Sequence, residues 1–132
     1  MASERKRSEK FESGLKTRRA VLGGDYVDRS VDAATDFTWP MQQLVTEYCW
    51  DEVWNRPGLD RRSRSILNLG MIAALNRPHE LKLHVRGALN NGLSRAEIQE
   101  ILLQVAIYCG VPAGVDSFRI AQSAFDEIDG KA

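Results

Sequence analysis

Residues 77–92, Arg-Pro-His-Glu-Leu-Lys-Leu-His-Val-Arg-Gly-Ala-Leu-Asn-Asn-Gly, carry most of what could do chemistry in this chain. Pro78 suits a first helical position and Gly92 the residue just past a helix end, so the segment reads as one capped helix. At 3.6 residues per turn, Leu81, Val85, Ala88 and Leu89 form its buried stripe. Arg77, Glu80 and His84 follow one edge of that stripe, at i, i+3 and i+7. A cation, a carboxylate and an imidazole at the border of a core make an acid/base cluster. The bland alternative is a satisfied core histidine, with Glu80 and His84 an i, i+4 surface pair worth about 0.2–0.5 kcal/mol.

The elements that must position this cluster all read as helices, because apolar residues recur at helical spacing and strand-like alternation is missing. A charged helix is expected from Glu4 to Leu22, ending at Gly23-Gly24, then a loop from Asp25 to about Thr35. Pro40 opens a helix to about Asn55 that carries Leu44, Tyr48, Trp50 and Trp54; Arg56-Pro-Gly58 breaks it. Asp60 is an N-cap for a helix to about Leu75, apolar nearly all round from Ile66 onward, which calls for cover by other helices. The helix of His84 follows. Ser94-Arg-Ala-Glu97 is a capping box for a helix to Gly110 that buries Ile98, Ile101, Leu102 and Val105. A last helix runs from Val111-Pro112 to about Ile128. The result is an all-α fold of about six helices in a single domain, residues 1–132, with residues 1–24 a charged helix or arm.

The chain has 132 residues, 43% hydrophobic and 27% charged, the composition of a soluble globular domain long enough to bury a core. Net charge is zero but uneven: Glu4 to Arg19 holds seven bases and three acids. Interspersed acids and the lack of stacking aromatics there argue against a nucleic-acid partner. A helix-turn-helix reading also fails on charge, since its recognition helix, 113–128, would carry Arg119 against Asp116, Asp126 and Glu127. No apolar run reaches membrane-spanning length, and no export signal is visible, so the cytoplasm is the expected compartment. Cys49 and Cys109 form no metal or redox spacing and read as small buried hydrophobes. Leu83 and Leu103 fall off their helices' main stripes, which points to a homo-oligomer.

Taken in order, Trp50-Asp-Glu-Val-Trp54-Asn-Arg56-Pro-Gly-Leu-Asp60-Arg-Arg-Ser-Arg64, Glu80-Leu-Lys-Leu-His84-Val-Arg86-Gly-Ala88, Asn91-Gly92, Glu97-Ile98 and Tyr108-Cys-Gly110-Val-Pro112-Ala113 closely resemble the γ-carboxymuconolactone decarboxylases. The resemblance runs from about Phe11 to Phe125. It implies a helical domain of the alkylhydroperoxidase D-like type, assembled into rings that are commonly hexamers, with no cofactor and no metal. Its implied substrate is a small-molecule lactone dicarboxylate, 4-carboxymuconolactone, which loses CO2 to give 3-oxoadipate enol-lactone. On that resemblance His84 is the proton donor, Glu80 orients it or holds its charge, and Arg64 and Arg77 grip carboxylates. The wider group's Cys-x-x-Cys-x-x-x-His redox motif would place its cysteines at Arg77 and Glu80. Neither supplies a thiolate, so thiol peroxidase chemistry is not expected. A related lactone-processing activity or a non-catalytic helical module remains as an alternative.

Overall fold

A computed structural model describes residues 5–131. Among the described residues the secondary structure is entirely helical: α1 (Glu9–Leu22), α2 (Gly24–Asp32), α3 (Trp39–Leu44), a π-helical continuation (Val45–Val53), α4 (Arg61–Ala74), α5 (Pro78–Asn90), α6 (Arg95–Cys109) and α7 (Val111–Ile128). The chain divides between Leu59 and Asp60 into two compact units.

In the first unit α1 packs on the π-helix and on α2. Helix α1 starts later than its charge pattern suggests, because Ser8 caps it by accepting from the Phe11 amide at 3.0 Å. The expected start, Glu4, lies outside the described residues. Its solvated appearance is also misleading: Phe11, Leu15, Val21 and Leu22 are buried, and so is Arg18. The stretch expected to be a loop from Asp25 to Thr35 is largely helix α2, anchored by Val27 and Val31 at i, i+4. Two aliphatic residues in nine are too few to show a period, which is why the helix is invisible in the pattern and why the count exceeds six. Trp50 and Trp54 are buried and stacked, with ring centroids 4.8 Å apart. The Trp54 amide donates to the Cys49 carbonyl five residues back at 3.0 Å, the wide-turn bond that defines a π-helix.

The second unit holds α4 to α7 around Leu69, Leu81, Val85, Ile98, Leu102 and Ala124. Its first two helices form a hairpin joined by Leu75-Asn76-Arg77. Asn76 takes φ +57°, and the Arg77 and Asn76 amides donate to the Ile72 and Ala73 carbonyls, both at 3.3 Å. This is a Schellman ending with asparagine in the left-handed position. Helix α5 closes the same way at Gly92 (φ +96°), where the Leu93 amide reaches the Ala88 carbonyl at 3.0 Å. Asp60 caps α4, and the Ser94–Glu97 capping box is present on α6. On α4, Leu69 and Ala73 are buried while Leu67, Met71 and the C-cap residue Leu75 stay exposed, so this helix is not covered all round.

Candidate active site

Every sequence-derived site residue lies on α4, on α5 or at the start of α5, in the second unit. The hairpin is pinned across its two helices at two levels. Near the open end the Asn91 side-chain amide donates to the Ser65 hydroxyl at 2.9 Å. Further along, three residues on in α4 and seven residues back in α5, the Asn68 amide Nδ2 stands 3.5 Å from His84 Nδ1. These cross-links set the register of α4 against α5 and hold the His84 ring against Asn68, which follows Arg64 by four residues on α4. All three side chains are half-buried.

Burial dominates the electrostatics of His84. It lowers the imidazole pKa from about 6.5 to about 4, and the Glu80 carboxylate only partly opposes this. The sequence pointed to an imidazole titrating near neutral pH; the fold instead holds it uncharged at pH 7. A neutral ring still has one N–H, and in a desolvated setting that N–H stabilises a developing oxyanion strongly.

The remaining candidates are placed differently from one another. Glu80 is exposed, one turn before His84. Arg77 is the N-cap residue, outside the helix, so helical register does not govern it. Its guanidinium folds back to donate to the Leu75 carbonyl at 3.3 Å. It lines a pocket of about 240 Å³ with Asn76, Leu81, Asp116 and Ser117; His84, Glu80 and Arg64 are not among the lining residues.

Two residues escaped the sequence reading. Asn68 sits in an apolar run where it looks like a tolerated polar residue; only its position four after Arg64 hints at a shared edge. Arg18 reads as part of a solvated basic helix. It is only 6% exposed, and its guanidinium donates to Gln42 Oε1 at 2.8 Å and Thr46 Oγ1 at 3.4 Å. Burial lowers its pKa, with Tyr26 and Cys49 opposing that. Cys109 is exposed, contrary to expectation, while Cys49 is half-buried with a thiol pKa raised by burial. His79 is exposed. Among the described residues no three His, Cys, Asp or Glu side chains cluster to hold a metal ion, and no helix is long and apolar enough to cross a membrane.

Among the described residues, an all-helical fold seats a desolvated imidazole on a helical hairpin, which suits chemistry that develops negative charge on a small molecule. The chain belongs to the carboxymuconolactone decarboxylase family, which matches residues 40–123. It is 45% identical over 118 residues to a nitrosuccinic acid decarboxylase of Metarhizium robertsii, covering 89% of this chain and 82% of that protein. It is 35% identical over 120 residues to a 4-carboxymuconolactone decarboxylase of Acinetobacter baylyi, covering 91% and 90%. Family and relatives make the chain a carboxy-lyase, a decarboxylase acting on a small molecule.

Proposed function

We propose that this chain decarboxylates 4-carboxymuconolactone to 3-oxoadipate enol-lactone and CO2 without a cofactor, as a step in protocatechuate breakdown by the β-ketoadipate route. The observation that carries the reading is the match to a 4-carboxymuconolactone decarboxylase along 91% of the chain. The chemistry is self-sufficient. When the C–C bond to the γ-carboxylate breaks, its electron pair runs through the unsaturated ring onto the lactone carbonyl oxygen. Carbon then takes a proton, and one proton is consumed per CO2 released. The protein has to hold two carboxylates and stabilise the oxyanion. His84 supplies the N–H that meets the developing negative charge, and Glu80 bears on its proton affinity. Arg64 binds one carboxylate. Arg77 binds the second when substrate draws its guanidinium from the Leu75 carbonyl.

A second reading has its own support, the higher identity to the nitrosuccinic acid decarboxylase. Nitrosuccinate is also a dicarboxylate whose departing carboxylate adjoins a built-in electron sink, here the nitro group, which becomes a nitronate. The two substrates ask the same of the site: an oxyanion donor and two carboxylate grips.

The purified protein is incubated with each compound in parallel while CO2 release and loss of substrate absorbance are followed. Turnover of the lactone, with nitrosuccinate inert, is the expected result. The reverse assigns the second reading, and inertness toward both overturns the proposal. Turnover should survive exhaustive chelation; loss on chelation with recovery on adding zinc would contradict the metal-free mechanism.

A further inference from the structure

The residue facing His84 across the hairpin is an asparagine, and it meets a particular ring nitrogen. Asn68 Nδ2 carries two protons and has no lone pair to offer, so at 3.5 Å it can only donate to Nδ1. An Nδ1 that accepts has no proton of its own. In a neutral imidazole the single ring proton must then sit on Nε2. We infer that Asn68 is a positioning residue that holds His84 in the Nε2–H tautomer, so that the ring enters the reaction as an uncharged hydrogen-bond donor.

Three observations support this. Asn68 and His84 come from adjacent helices whose register is independently pinned by Asn91 on Ser65, so the pairing is built into the hairpin. Both side chains are half-buried, where an amide contact competes less with water than at the surface. A donor aimed at Nδ1 also opposes a second ring proton there, which agrees with a site that keeps the imidazole neutral. The catalytic consequence rests on the proposed decarboxylase mechanism: with the tautomer reversed, the ring would turn a lone pair toward the oxyanion from Nε2.

The test reads the tautomer directly, in substrate-free protein. The chain has two histidines, so a His79→Gln background leaves His84 as the one imidazole. Two-bond nitrogen–proton correlation spectra of this protein, labelled with 15N-histidine, should show a lone-pair nitrogen at Nδ1 and a protonated one at Nε2 at pH 7. Asn68→Ala should raise the share of the Nδ1–H tautomer. Asn68→Asp, nearly the same shape but acceptor-only when ionised, should shift it toward Nδ1–H. Both variants should lose about 10- to 100-fold in kcat with KM within about threefold, the scale seen when a group orienting a functional histidine is removed. A parent spectrum with the proton on Nδ1, or one that Asn68→Ala leaves unchanged, overturns the inference. The parent spectrum needs no variant to fold and no substrate, so the tautomer can fail while the decarboxylase reading stands. A wrong substrate, conversely, leaves the spectra untouched.

Discussion

Burial ties His84 to the stability of the protein as well as to its chemistry. Above about pH 6.5 the ring is neutral whether the chain is folded or not, and its burial costs nothing in charge. Between pH 6.5 and about 4 the unfolded chain takes up a proton that the native ring refuses. Stability present at neutral pH is therefore lost as the pH falls through this window, at up to about 1.4 kcal/mol per pH unit. Urea unfolding at pH 7.5 and pH 5 should show the parent losing on the order of 2 kcal/mol more than His84→Gln; equal losses would mean that the ring is not desolvated. For catalysis, His84→Ala should lower kcat by about 10²–10³-fold, the scale of losing one oxyanion donor, with little change in KM. His84→Asn keeps an N–H and should recover part of that loss. An alanine variant that folds and turns over within about threefold of the parent, far short of such a loss, would leave the ring a structural role only.

At the scale of elements, close helix crossings depend on residues with no side chain to spare. A Cβ on Gly14 would run into the Thr46 carbonyl oxygen, a backbone atom of the π-helix that cannot swing aside. Gly14→Ala should therefore cost about 1–3 kcal/mol despite the better helix propensity of alanine. A thermal melt equal to or above the parent's would show that α1 and the π-helix sit farther apart. Gly114 plays the same part against Ala106, between α7 and α6. The α4–α5 turn depends on a different property. Asn76 tolerates the left-handed conformation, which costs other non-glycine residues roughly 1–2 kcal/mol. Asn76→Val should lower the melting temperature and Asn76→Gly should not, which differential scanning fluorimetry resolves. This turn also leaves Arg77 as the N-cap residue, just outside helix α5.

For the molecule as a whole, apolar surface is the outstanding feature. Leu67, Met71 and Leu75 make a stripe on α4, and Leu103, Ile107, Tyr108 and Val111 gather about the α6–α7 junction, with Ile107 79% exposed. Large apolar side chains left in water at this spacing suit a surface that another copy covers. We expect a closed homo-oligomer, a hexamer on the family resemblance, and light scattering at micromolar concentration should return its mass; a monomer would refute it. The helices of the second unit were legible in the sequence because their signals are local: Asp60, Ser94 and Gly92 start or stop a helix through bonds to residues three to five positions away. The family and its reaction class were legible in the ordered residues from Trp50 to Ala113. Helix α2 was not, because two valines in nine residues show no period, and the π-helix was not, because it differs from an α-helix only in which carbonyl each amide reaches. For the cluster of Arg77, Glu80 and His84 the sequence supplies only the spacing. Spacing along one helix puts side chains on an edge, but which edge is desolvated, and by whom, depends on the helix packed against it. Only the α4–α5 hairpin brings Asn68 to His84, and only burial there keeps the ring neutral between about pH 6.5 and about 4.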